Sequence, residues 1–158
     1  MSLSKQLAKH IREVNFGVNW TWVNLKDSLD GVTCEQATTQ LYDFNTIATL
    51  VFHINYYYGV ATEVLEGKPL VGSDKLSFDH PPIKSAGEWQ KLLEKHWSEV
   101  EQFACLVEEL PESIYGDTFG EEKYGNYYRN IMGIIEHTHY HMGQIVMIKK
   151  LLNLQSAG

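Results

Sequence analysis

Two histidines near the C-terminal end of the chain have the spacing of metal ligands. His137 and His141 are four residues apart, so in a helix they lie on one face with their Cβ atoms about 5–6 Å apart. On a helical wheel both fall in the apolar arc of Ile134 and Ile145, which should face the core. A buried imidazole without partners costs about 1–3 kcal/mol for each unsatisfied group. Because one shared metal ion would satisfy both rings, the pair predicts a metal site.

A third ligand is expected from another helix. His53 lies in the middle of the apolar segment TIATLVFHINYYYGVATEVL, on the edge of its most apolar strip, and is the best-placed candidate. His10 and His96 also lie near apolar stripes, and spacing does not exclude either of them. The competing interpretation is that these histidines are core residues, each paired with a carbonyl or a carboxylate. Three protein ligands leave one position open, as in catalytic zinc sites, whereas structural zinc sites close with four.

Two known classes of histidine site do not fit the sequence. Thr138 follows His137, so the glutamate base of the HExxH proteases is absent. Glu136 and His139 have the ExxH spacing of di-iron bundles, but no second copy of that motif accompanies them. On the wheel both residues lie beside Lys150, so we expect His139 to point to the outer side of the helix.

Four long helices are predicted to position these residues. Helical hydrophobic patterns occur over residues 3–28, 44–66, 85–109 and 126–154. Residues 32–42 form a linker with room for a short helical turn, and residues 67–85 are expected to be an ordered loop without secondary structure. This second link is long enough to cross the bundle, which allows helices 2 and 3 to run parallel. The predicted fold class is therefore all-α, an up-down-down-up four-helix bundle with a long crossover between helices 2 and 3.

Length and charge limit the possible partners. The 158 residues predict a single domain, 1–158. The net charge is −7 and the thirteen basic residues are scattered, so we expect no nucleic acid and no anionic membrane as a partner. No apolar stretch reaches membrane-spanning length. Cys34 and Cys105 have neither redox nor metal-ligand spacing, so we expect free thiols in a cytoplasmic protein.

Three segments carry a resemblance to a known family: GVNWTWVNLKDSLDGVTCEQA, TIATLVFHINYYYGVATEVLEGKP and GIIEHTHYHMGQIVMIKK, in that order. The most specific motif is His-x-x-x-His-x-Gly-Gln-Ile, which here runs from His137 to Ile145. The chain resembles the DinB-like family, also known as YfiT-like metal-dependent hydrolases or thiol transferases. The resemblance covers essentially the whole chain.

The resemblance implies a function as well as a fold. Members of this family are four-helix bundles, often dimers, in which one histidine of helix 2 and two of helix 4 bind a divalent metal, usually zinc or nickel. Carried onto this sequence, these ligands are His53, His137 and His141. The resemblance further implies an enzyme that transfers a low-molecular-weight thiol to an electrophilic small molecule, or hydrolyses one. The tyrosines and tryptophans exceed what one bundle can bury, which agrees with a homodimer.

The choice between catalysis and simple binding stays open at this point. No carboxylate is obviously placed as a general base, which favours thiol transfer over hydrolysis, and the catalytic residues are unknown. The alternative is a non-catalytic metal-binding stress-response protein. An enzyme needs a cavity of a few hundred cubic ångström that reaches the metal. A sensor or a structural site can be closed by side chains.

Four polar residues share the side of the predicted ligands and are candidates to contact the substrate or to orient an imidazole. Asn130 lies two turns before His137, and Gln144 follows His141 by three residues. Tyr56 and Tyr57 follow His53 by three and four residues. Each of the four is also a candidate packing residue.

Overall fold

The protein consists of seven α-helices within the residues that the structure describes. The computed structural model describes residues 1–156, so the last two residues of the predicted domain lie outside the described residues. It contains α1 (Leu3–Phe16), α2 (Leu25–Leu29), α3 (Cys34–Thr38), α4 (Ile47–Leu65), α5 (Asp74–Ser77), α6 (Ala86–Glu109) and α7 (Tyr127–Ser156). Two 3-10 turns, Glu112–Gly116 and Glu122–Tyr124, lie between α6 and α7. Residues 1–156 contain no β-strand, so the predicted all-α class is confirmed.

A side-chain cap begins each of the four long helices. Ser2, Thr46 and Ser85 each accept a hydrogen bond from the backbone N–H three residues further on. Asn126 does the same for Arg129 at the start of α7. Such caps satisfy N–H groups that have no partner inside the helix. The predicted starts of these helices are therefore correct to within about three residues.

The four long helices pack as a closed ring, in which α1 contacts α6 and α7, and α4 contacts the same two helices. The contacts between α1 and α6 run in opposite directions, since Ser4 bonds to Leu110 and Asn15 lies beside His96. Those between α4 and α6 run in the same direction: His96 meets Asn55, and Phe103 packs on Tyr58. These pairings are those of parallel second and third long helices.

α4 and α7 pack against each other in opposite directions, with their middle portions close together. Leu50 near the start of α4 lines one cavity with Ile148, and Ala61 near its end lines another with Ile134, so the two helices are antiparallel. His53 lies between these two levels.

None of the helices within residues 1–156 combines the length and the apolar character that a membrane span requires.

The first predicted helix is wrong beyond residue 16. The chain leaves the helix at Gly17 and forms another helix only from Leu25 to Leu29. Asn19 accounts for the break, because its side-chain amide donates to two backbone carbonyls, those of Glu13 and Val23. Its oxygen accepts from the N–H of Thr21. These bonds offer the backbone an alternative to the helical ladder.

The interrupted segment exposes residues that the periodic pattern assigned to the core. Val18 and Trp22, two members of the predicted apolar stripe, are 62 and 82% exposed, and Trp20 between them is 94% exposed. Trp22 also has a positive φ of 56°, which no continuous helix contains. The apolar spacing of residues 18–22 therefore reflects a surface loop and not a buried helix face.

The long link between α4 and α6 also differs from the prediction. The segment 67–85 was expected to have no secondary structure, but it contains the one-turn helix α5 (Asp74–Ser77). Ser77, at the end of this turn, is fully buried, and its hydroxyl bonds back to the carbonyl of Asp74 at 2.6 Å. The turn packs on α4, so Ser77 lies next to His53. The earlier linker contains the short helix α3 in the place where room for a turn was predicted.

Candidate metal centre

The three predicted ligands lie together in the structure. His53 extends from the middle of α4, and His137 and His141 extend from one face of α7. The three ring centroids are 4.4–4.8 Å apart, and one nitrogen of each ring lies within 4.8 Å of the other two. The Nε2 atoms of His53 and His137 are 2.9 Å apart. His53 and His141 are buried, and His137 is half-buried.

Ser77 determines which nitrogen of His53 faces the other histidines. Its hydroxyl donates its only proton to the carbonyl of Asp74, so it can only accept from Nδ1 of His53, which is 2.7 Å away. His53 therefore carries its proton on Nδ1. The lone pair of Nε2 is left free and points towards the cluster.

Gln144 likewise determines which nitrogen of His141 carries the ring proton. The side-chain oxygen of Gln144 lies 2.7 Å from Nδ1 of His141 and can only accept a hydrogen bond. The proton of this ring is therefore on Nδ1 as well, and Nε2 keeps its lone pair. Residues that hold the second nitrogen of an imidazole in this way are typical of histidine metal sites.

Burial keeps all three rings neutral. Desolvation, followed by the nearness of His141, lowers the pKa of His53 to about 4. Desolvation and the two neighbouring histidines lower the pKa of His137 to about 3. The pKa of His141 is also lowered, again by burial, and the hydrogen bond that His141 donates to Gln144 partly opposes this shift. Neutral imidazoles are the form that binds metal ions.

Aromatic rings enclose the cluster. Phe78 stacks on His53 with 3.9 Å between the ring centroids and 16° between the planes. Tyr57 meets both His53 and His137 edge-on, at 5.2 and 4.9 Å between centroids. Tyr140 contacts His141 in the same manner at 4.8 Å. The three histidines therefore lie among aromatic side chains.

The other predicted neighbours have different positions. Tyr57 touches the histidines, and its hydroxyl donates to Asp74 at 3.2 Å. Tyr56 does not touch them, since its hydroxyl accepts from the N–H of Ser73 at 2.9 Å and so holds the link before α5. Asn130 donates to two carbonyl groups at the start of α7 and lies along a cavity instead of at the rings.

Sequence analysis missed Ser77, Phe78 and Asp74. All three belong to the link between α4 and α6, where no periodic pattern indicates which side chains turn inwards. Proximity in the sequence could not have found them either, because Ser77 is 24 residues from His53.

The rival ligands lie elsewhere. His96 is fully buried between three helices, and its ring nitrogens are 3.1 and 3.2 Å from the side-chain oxygens of Asn55 and Asn15. The ring of His10 is 6.3 Å from that of His139. His139 was expected to point outwards, which is wrong. It is half-buried against α1, and its Nε2 is buried without a hydrogen-bond partner among residues 1–156.

A cavity reaches the histidine cluster. It has a volume of about 840 Å³, and both His137 and Tyr57 line it. A smaller cavity of about 310 Å³ adjoins it and shares Tyr57. A third cavity, of about 520 Å³, contains Gln144 and Tyr140 but none of the three histidines. The first cavity is therefore the candidate approach for a substrate.

One of the comparisons with known proteins identifies the family of the chain. The family model described as the DinB superfamily matches residues 18–145. Neither the curated proteins nor the solved structures gave a match. The matched range covers more than half of the chain and includes His53, His137 and His141. The chain therefore belongs to the DinB superfamily.

Proposed function

We propose that this protein is a metal-dependent enzyme that transfers a low-molecular-weight thiol to an electrophilic small molecule. The observation that carries the proposal is the cluster of His53, His137 and His141, whose rings are neutral and close together and of which His137 lines a cavity. The cofactor is one divalent metal ion, with zinc or nickel favoured, because both accept imidazole nitrogen readily.

The donor set fits such an ion. Ser77 and Gln144 leave lone pairs on Nε2 of His53 and His141. Two facing lone pairs at the 2.9 Å between His53 and His137 would repel each other, so Nε2 of His137 carries the ring proton in the metal-free protein. To bind a cation through Nε2, this ring would carry its proton on Nδ1 instead and would stay neutral. A divalent metal bound there supplies a positive charge that stabilises a thiolate at neutral pH.

The surrounding residues favour thiol transfer over hydrolysis. The cluster of possible ligands in residues 1–156 contains three histidines and no carboxylate. Asp74 accepts the hydrogen bond of Tyr57, so it is occupied as a partner for that hydroxyl. A thiolate is already a nucleophile and needs no general base, whereas attack by water usually does.

The alternative, a non-catalytic metal-binding stress-response protein, lacks a supporting observation. A sensor has no need of a cavity of about 840 Å³ beside one of its ligands. That volume is typical of small-molecule sites. We therefore place a small-molecule substrate in this cavity.

The proposal is tested by metal content and activity together. Protein purified without an immobilised metal is loaded with zinc or nickel and assayed with a panel of cellular thiols and chlorodinitrobenzene as the electrophile. We expect metal-dependent conjugation that disappears in His137→Ala and persists in His139→Ala, a histidine of the same helix outside the cluster. Full metal occupancy without activity towards any thiol would contradict the proposal and favour the non-catalytic alternative.

Two further predictions concern the setting of the protein. We propose a homodimer, because Trp20, Trp22, Tyr140 and Met147 are all more than half exposed. A cytoplasmic location remains a prediction that rests on the two cysteines, both of which are free.

A further inference from the structure

The two cavities next to Tyr57 form one groove. The larger and the smaller cavity share Tyr57, Tyr124, Asn130 and Ile134, and we call their union the α7 groove. The groove begins at His137 and follows α7 back towards its first turn. Its far end contains Arg129.

The length of the groove follows from the rise per residue along α7. Arg129 and His137 are eight residues apart, which corresponds to about 12 Å along a helix axis. The side chain of Arg129 extends away from the histidines, because its Cδ lies within 2.7 Å of the position that a Cβ on Gly125 would occupy. A molecule that contacts both Arg129 and the metal centre must therefore be elongated.

Arg129 is a cation without a counter-charge. The chain has only two arginines, and Arg12 is paired with Glu101 and Glu108. Lys123, which also lines the groove, is paired with Glu121 at 2.9 Å. Arg129 has no ion pair with any residue in 1–156. Arg129 is exposed, so its guanidinium is accessible to an anion from solution, and its planar donors match a carboxylate or a phosphate.

The opposite end of the groove disfavours an anion of this kind. Glu136 lines the groove next to His137 and has no ion pair within the described part of the chain. In the metal-free protein its negative charge repels a second carboxylate beside the histidines, and in the loaded protein the thiolate of the ligand would occupy the position at the metal. The two charges therefore orient an elongated anion with its charged end at Arg129.

The smaller cavity supplies an apolar wall between these two ends. Val60, Ala61, Leu70 and Phe119 line it on the side away from α7. Ala61 and Phe119 are buried and Val60 and Leu70 are half-buried, so this wall belongs in part to the packed core, and Asp74 lines the same cavity. It accommodates a hydrocarbon portion of the ligand.

We propose that the α7 groove binds an elongated small molecule that carries a carboxylate or phosphate group at Arg129, an apolar middle portion and its reacting group at the histidines. This inference deepens the proposed function and rests on it for the identity of the reacting group. Arg129 is then the residue that selects anionic over neutral substrates.

The test uses two thiols that differ only in charge. Mercaptoundecanoic acid and mercaptoundecanol are titrated calorimetrically into the metal-free and the zinc-loaded protein. We expect the wild type to bind the acid about tenfold more tightly than the alcohol, as a charge-assisted hydrogen bond allows. Arg129→Gln should abolish this preference, and Arg129→Lys should retain part of it. Lys150→Gln, which removes an exposed positive charge of α7 outside the groove, should leave it unchanged.

The outcomes separate the two proposals. If Arg129→Gln keeps the preference for the acid, or if the wild type has none, the assignment of Arg129 is overturned whether or not metal binds. If zinc does not tighten the binding of either thiol while the preference for the acid depends on Arg129, the metal mechanism fails and the anion site stands. The short mercaptopropionic acid cannot reach from the metal to Arg129, so with it Arg129→Gln should have no effect. Equal dependence on Arg129 for the short and the long acid would contradict the predicted length.

Discussion

Ser77 accepts a hydrogen bond from Nδ1 of His53 at 2.7 Å and donates its own proton to a backbone carbonyl. A residue of the segment between α4 and α6 thus controls which nitrogen of His53, a residue of α4, keeps its lone pair. We therefore expect the affinity of the proposed metal centre to depend on a serine that lies outside the four long helices.

Replacement of Ser77 by alanine should therefore weaken metal binding. Without the acceptor, His53 can place its proton on either nitrogen and rotate, and the loss of such partners typically lowers metal affinity about 10- to 100-fold. Competition of zinc binding with a chromogenic chelator measures this change. Ser73→Ala is the matched control, because the side chain of Ser73 makes no capping hydrogen bond in the same segment. Equal zinc affinity of Ser77→Ala and wild type would contradict the role assigned to Ser77.

Gln144 offers a second, independent test of the same principle. In Gln144→Leu the acceptor for Nδ1 of His141 is lost, and we expect a similar decrease in zinc affinity of about 10- to 100-fold. Gln144→Glu keeps an oxygen in place and should restore the affinity. If Gln144 only fills space, Gln144→Leu should bind zinc as tightly as the wild type, since leucine fills a comparable volume. There would then be no loss of affinity for Gln144→Glu to restore.

The free energy of unfolding of the metal-free protein should decrease as the pH falls below about 6.5. Unfolded imidazoles take up protons below that pH, whereas the pKa values of His53 and His137 in the folded protein are about 4 and 3. Protonation between these limits therefore favours the unfolded state. Urea denaturation with a chelator present, at about pH 7 and about pH 5, measures the difference. Equal stability at the two pH values would show that these rings are not held neutral by burial.

A comparison of His96→Ala with His141→Ala distinguishes a structural histidine from a proposed metal ligand. It is fully buried and lies beside Asn15 and Asn55, so His96→Ala should cost about 2–4 kcal/mol through the cavity and the unpaired amides. Zinc affinity should be unchanged in this variant, provided that it is measured below its melting temperature. His141→Ala should show the reverse, with a large loss of zinc affinity and a small change in the stability of the metal-free protein. A loss of zinc affinity in His96→Ala equal to that in His141→Ala would make His96 a candidate ligand again.

The clustering of the three histidines could be predicted from the sequence because helical spacing is local. His137 and His141 share a face in any helix, and the apolar segment around His53 is too long to be a loop. The same locality explains which hydrogen-bond partners of the histidines could be predicted. Gln144 follows its histidine by one helical turn and was a candidate, whereas Ser77 reaches His53 only through the path of the chain between α4 and α6.

The errors have physical causes as well. Residues 18–22 have helical apolar spacing, but the hydrogen bonds of the Asn19 side chain end the helix, and periodicity does not register such competition. The wheel placed His139 opposite the apolar arc and therefore on the outside. It could not indicate that α7 packs against both α1 and α4, which buries more of its circumference than one arc.

The central claim is that His53, His137 and His141 bind one metal ion. The most direct measurement is the anomalous scattering of crystals of the zinc-loaded protein. We expect one strong peak per chain, with the Nε2 atoms of the three histidines about 2.0–2.1 Å from it and a non-protein ligand completing the coordination. A protein that stays free of zinc, or a peak elsewhere, such as between His10 and His139, would contradict the account.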